Sequence, residues 1–103
     1  MGAGADGTSI GCLVHDEGDD VAVAVRDLEP GEVSVAWLDS GRRDRLSVNE
    51  SVPLGHKVAL SEMPEGHKVI EYGVLVALTR SEVAAGAHVH VHNIRSARWQ
   101  QSA

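Results

Sequence analysis

The stretch Glu82-Val83-Ala84-Ala85-Gly86-Ala87-His88-Val89-His90-Val91-His92-Asn93 decides how this chain is read. Its first five residues form a corner: an acid, an apolar residue, two variable residues and a glycine. Its last six alternate histidine with valine. Successive side chains of a β-strand point to opposite faces. As a strand, the segment sets His88, His90 and His92 on one face and Val89 and Val91 on the other. Valines in a row pack into a core. Imidazoles in a row bind metal, move protons or hydrogen-bond a polar ligand.

The corner recurs as Asp27-Leu28-Glu29-Pro30-Gly31 and Glu62-Met63-Pro64-Glu65-Gly66. Strand-like runs precede the three copies at Val21 to Val25, Lys57 to Leu60 and Val74 to Leu78. Others follow at Val33 to Leu38, His67 to Ile70 and His88 to Val91. In each corner the acid is placed to accept amide hydrogen bonds of a single helical turn. The apolar residue tucks inward, and glycine supplies a positive φ without steric cost. Three such corners fold three strand pairs around a core. Asp39-Ser40-Gly41-Arg42-Arg43 reads as a hairpin loop, with Leu46 to Val52 as the returning strand. Pro53-Leu54-Gly55-His56-Lys57 and Glu71-Tyr72-Gly73 read as turns.

The 103 residues suffice for one small domain, which at this size buries about two-thirds of its unfolded surface. The apolar content is 43%, with 3% aromatic residues and no Phe. A core of Val, Ala and Leu favours strands, because branched side chains pack well on a pleated surface. The expectation is an all-β domain over 10–99, built of short strands and single helical turns. Met1 to Ser9 and 100–103 are expected to be disordered.

The formal net charge is −6. Nucleic-acid binding draws on a basic face, and none is evident: Asp39 and Asp44 interrupt the run Arg42, Arg43 and Arg45. That run reads as a solvated loop. Cys12 is the single cysteine, which excludes an internal disulfide and fits a reducing cytoplasm. No stretch approaches the ~20 apolar residues of a membrane span, and the N-terminus lacks the pattern of a signal peptide.

On a strand, residues two apart stand about 6.6 Å apart, so three histidines in a row span about 13 Å. Metal–nitrogen bonds are about 2.1 Å. The three therefore do not converge on one ion. Two of them, completed by a residue from elsewhere, do. The alternative is hydrogen bonding within a polar subunit interface. His56 and Lys57 after Gly55 form either an anion-binding turn or a purely structural one. Tyr72, the single tyrosine, reads as a packing anchor with a bonded hydroxyl or as a catalytic acid. His15 is a ligand or a surface residue. No nucleophile with its base, phosphate loop or carboxylate pair is evident, and the chain looks too small to enclose a pocket alone.

Pro53-Leu54-Gly55-His56-Lys57-Val58-Ala59-Leu60, Tyr72-Gly73, Gly86 to Asn93 and the ending Asn93-Ile94-Arg95-Ser96-Ala97-Arg98-Trp99 together resemble the SAF module of the altronate/galactarate dehydratase family. The resemblance covers His15 to Trp99 and implies a β-clip fold. It departs from the family pattern at Glu71, where a Lys is usual. Members dehydrate sugar acids, with iron or another divalent metal such as manganese implicated. Related two-subunit enzymes eliminate sulfite from sulfolactate. The resemblance therefore implies a small accessory subunit of a hydro-lyase or sulfo-lyase. Its partner is a large catalytic subunit, its substrate a small anionic sugar acid or sulfonate, and its metal is shared with or held by that partner. It implies catalytic roles for His56, Lys57 and Tyr72, and substrate contacts from Gly55, His56, Lys57 and Asn93. Metal contacts fall to His88, His90 and His92, at most two to one ion. The rival expectations are a stand-alone, non-catalytic ligand-binding module and a homo-oligomer whose exposed valines and Trp99 meet in a self-interface.

Overall fold

A computed structural model describes residues 9–96 of the chain. The termini expected to be disordered lie outside these residues except for Ser9, and so does Trp99. Nine strands occur among the described residues: β1 Ile10–Val14, β2 Val21–Ala24, β3 Gly31–Trp37, β4 Arg43–Val48, β5 Lys57–Ala59, β6 Lys68–Glu71, β7 Val74–Thr79, β8 His88–Val89 and β9 Ile94–Ser96. The chain is all-β, with no helix among the described residues.

Six strands form a sheet in the order β4-β3-β1-β2-β5-β8, and three form a second in the order β6-β7-β9. All pairings are antiparallel except β1 with β3. Strands β2 and β5 lie between two hydrophobic clusters and serve both. Val21 pairs with Ala59, and both face the cluster around Met63, Val69, Val83 and Val89. One residue along, Ala22 pairs with Val58, and both face the cluster around Val14, Leu28, Val35 and Val52. This explains why β2 is a short continuous apolar run rather than a polar/apolar alternation, and why Val58 and Ala59 of β5 are both apolar.

The corners meet in pairs. Leu28 and Val52 exchange both backbone hydrogen bonds, at 2.8 and 2.9 Å; Met63 and Val83 do the same at 2.8 Å each. All four side chains are buried. There are thus four corners, and Ser51-Val52-Pro53-Leu54-Gly55 is the one that the acid-first pattern misses. Three close as tight β-turns in place of helical turns: His56 N donates to Pro53 O, His67 N to Pro64 O and Ala87 N to Ala84 O. The glycine at the third position of each has a positive φ, as type II turns require. The acids do not cap their own turns. Asp27 Oδ1 accepts from Leu54 N, in the opposite corner, at 2.8 Å.

Gly86 is the most constrained of these glycines. Its φ is +83°, and a Cβ there would land on the Ser47 carbonyl oxygen. Its amide donates to Ala59 O and its carbonyl accepts from Asn49 N. This close approach fixes where the chain enters β8. The hairpin at 39–42 forms as expected, although β4 begins at Arg43 and ends at Val48. Arg42 lies 4.2 Å over the Trp37 ring and pairs with Glu17, while Arg45 pairs with Glu32. Two of the three arginines of the run are therefore paired with acids.

Candidate functional site

Strand β8 ends after Val89, because β5 offers partners only for His88 and Val89. From His90 the chain turns. His90 O accepts from Asn93 N at 2.9 Å and from Ile94 N at 3.1 Å. The buried Asn93 side chain completes the loop: Oδ1 accepts from His90 N and Nδ2 donates to His88 O, both at 2.9 Å. Two expectations fall here. Val91 is not core but 69% exposed, and the histidines do not line one face of an extended strand.

The turn gathers the imidazoles instead of spacing them about 13 Å apart. The His88 and His90 ring centroids are 5.5 Å apart, and those of His88 and His92 are 5.4 Å apart. His56, delivered by the type II turn before β5, enters the same group. Its ring lies 5.0 Å from that of His88 and 4.4 Å from that of His90. His56 Nδ1 and His88 Nε2 are 2.8 Å apart. One ligand atom from each of His56, His88 and His90 lies within 4.8 Å of the other two. His88 is held from behind by Glu50, whose Oε2 accepts from His88 N at 3.0 Å. Burial, then the neighbouring His56, His92 and His90, push the His88 pKa below its ordinary value, with Glu50 opposing them. The group is partly buried, so an ion bound there would keep an open side.

Lys57 turns away from His56. Its Nζ lies 3.6 Å from Glu71 Oε1, and the Glu71 side chain is buried. The pair lies on a groove of about 510 Å³ with Val69, Ala77, Val89 and Ile94 in its wall and Arg80 and Arg95 along it. The domain thus carries a cleft of ligand size despite its length. Gly55, at φ +85°, donates its amide to Ala24 O, so its geometry is that of a turn residue.

Tyr72 is not a packing anchor. It is 56% exposed and stacks on His15, with ring centroids 3.6 Å apart. Tyr72 and Gly73 form the two-residue β6–β7 loop, both at positive φ. The buried Asp19 holds that loop: Oδ2 accepts from Tyr72 N at 2.9 Å and Oδ1 from Gly73 N at 3.1 Å. A non-glycine residue in this region costs about 1–2 kcal/mol, which the two bonds to Asp19 help to offset.

The sequence model of the altronate/galactarate dehydratase SAF domain matches residues 10–97. The chain belongs to the altronate/galactarate dehydratase SAF-domain family.

Among relatives of this SAF domain, the (2R)-sulfolactate sulfo-lyase subunit alpha of Chromohalobacter salexigens is 37% identical over 93 residues, which are 88% of this chain and 99% of that one. The subunit alpha of the same name from Paracoccus pantotrophus is 38% identical over 55 residues, 53% of this chain and 82% of that one. The altronate dehydratase of Escherichia coli K12 is 40% identical over 79 residues, which are 76% of this chain but 15% of that enzyme. The SAF domain is thus similar both to a free-standing subunit and to a small part of a larger dehydratase. No helix among its described residues is long and apolar enough to cross a membrane.

Two features of the site escaped the sequence. His56 reaches His88 across 32 residues, and no local pattern reports such a contact. Asn93 follows the last histidine directly, and an Asn that hydrogen-bonds nearby backbone favours a turn over an extended strand. That signal was available in the sequence.

Proposed function

We propose that this SAF domain is the small subunit of a two-component lyase, acting with a large catalytic subunit to eliminate water or sulfite from a hydroxy or sugar acid. The observation that carries the proposal is the match in extent: the chain spans 99% of a sulfo-lyase subunit alpha, while the corresponding module is 15% of a single-chain dehydratase. In β-elimination a base takes the proton beside a carboxylate while an acid assists the leaving group. The clustered imidazoles supply proton-transfer groups, and Lys57 supplies positive charge at the groove for a substrate carboxylate. The buried free Cys12 supports a reducing, cytoplasmic setting.

The test is co-expression with a large dehydratase-family chain from the same genome, followed by size exclusion and assays on altronate, galactarate and sulfolactate. Co-elution with elimination activity that neither chain has alone is expected. Absence of association, or a large chain fully active alone, overturns the proposal. The groove beside Lys57 favours a second reading, a ligand-binding module that works without a partner. Saturable binding of a hydroxy acid by the isolated chain, without association, would support that reading instead.

A further inference from the structure

We propose that His56, His88 and His90 form a three-imidazole site for one first-row divalent transition ion, and that Asn93 is the positioning residue that sets two of the three ligands. The site is complete within this chain, so the proposal stands whether or not a large subunit joins it.

The donor set limits the ion. Imidazole nitrogen suits iron, cobalt, nickel, copper and zinc, whereas magnesium and calcium take oxygen ligands. Two nitrogens bound to one ion at about 2.1 Å stand about 3.0 Å apart at a right angle and about 3.4 Å apart at a tetrahedral one. The 2.8 Å between His56 Nδ1 and His88 Nε2 is close to the first value. The three donors lie within 4.8 Å of one another, more than about an ångström wider than a tetrahedral pair on one ion, so binding an ion draws the rings together by side-chain rotation. Without an ion, a hydrogen bond joins His56 to His88; with one, both nitrogens turn lone pairs to the metal. The one hydrogen bond that a metal would displace among these rings is therefore the one between His56 and His88.

The ligands are held from behind. His88 and His90 are fixed through their backbones by the two Asn93 bonds and by the Glu50 bond to His88 N. His56 is fixed by its own turn. His92 touches the group through His88 and is not among the three converging donors. The ligand set is therefore not the row of alternating histidines. It is two members of that row with a third imidazole from a distant turn. Three protein ligands and a side open to solvent describe an ion able to bind a further molecule.

The experiment uses the full chain without an affinity tag, stripped with a chelator and titrated separately with Co(II), Zn(II) and Mg(II). One equivalent of Co(II) should give saturable visible absorption, displaced by Zn(II) and unaffected by excess Mg(II). In the untouched protein, Zn(II) should shift the imidazole resonances of His56, His88 and His90. His56→Gln and His90→Gln should each weaken binding about tenfold or more, and His92→Gln less than about twofold. Asn93→Ala should weaken it about 10–100-fold with the folded far-ultraviolet spectrum kept, as removal of a ligand's support does. No saturable binding, binding matched by Mg(II), or unshifted His56 resonances overturns the site. Undiminished affinity in Asn93→Ala overturns the positioning role. Failure of the lyase proposal is read separately, from association and elimination activity.

Discussion

His56 Nδ1 lies 2.8 Å from His88 Nε2, joining the turn before β5 to the start of β8 across 32 residues. In the metal-free chain one ring donates and the other accepts. A partly buried bond of this kind contributes about 0.5–1.5 kcal/mol. His56→Ala and His88→Ala should each lower stability by about that amount, and the double variant by less than their sum. Urea unfolding of the four proteins with chelator present checks this. Strict additivity would mean that the contact contributes nothing.

Lys57 and Glu71 should behave asymmetrically. Glu71 is buried, whereas Lys57 is 36% exposed. Lys57→Met leaves a buried carboxylate without its cation and should cost about 1–3 kcal/mol. Lys57→Met with Glu71→Leu should recover much of that loss, because replacing both partners removes the unpaired charge. Denaturant midpoints decide the matter, and a double variant weaker than Lys57→Met would refute it. The pair also gives the departure at Glu71 a physical sense, since here the acid at this position holds Lys57 at the groove edge.

The all-β architecture was legible because valine-rich runs and glycine corners are local features. The pairing of corners was half legible. The acid in the pattern proved incidental, so Ser51 to Gly55 was overlooked although Val52 and Gly55 carry the same geometry. The histidine cluster was legible in composition but not in shape. Alternation predicts a strand wherever it occurs, yet a strand needs a neighbour, and β5 offers partners only for His88 and Val89. Past that point the local bonds of Asn93 decide the backbone. Tyr72 was misjudged because a lone aromatic residue suggests a core. Its left-handed φ of 59° is set by Asp19, 53 residues away, and this placement leaves the ring outside.

Gly86 and Gly66 separate two costs of the same substitution. Both have positive φ, 83° and 81°, but a Cβ at Gly66 meets nothing within 4 Å, whereas at Gly86 it meets the Ser47 carbonyl. Gly66→Ala should cost about 1–2 kcal/mol, the penalty of the backbone region alone. Gly86→Ala must also push β4 from the entry to β8, adding overpacking of about 1–3 kcal/mol. Thermal melts should show the larger loss at Gly86. Equal losses would mean that the backbone there yields freely.

Cys12 makes stability depend on pH at the alkaline end. The thiol is fully buried, and burial pushes its pKa from 9.0 up to about 11, against a smaller opposing effect of Arg26. Below pH 9 the thiol keeps its proton whether the chain is folded or not, and stability is unaffected. Between 9 and 11 the unfolded chain releases that proton while the folded one retains it, so rising pH favours unfolding. A tenfold difference in proton affinity between the two states is worth about 1.4 kcal/mol, which gives a loss of about 2–3 kcal/mol by the time the folded thiol itself ionises. Cys12→Ala is less stable at pH about 8 because of the cavity, but it lacks this slope. The gap between wild type and variant in urea should therefore narrow as pH rises from 9 toward 11. Lys and Tyr titrations are common to both proteins and cancel in that difference. Parallel pH curves for the two proteins would show that the thiol ionises without unfolding the chain around it.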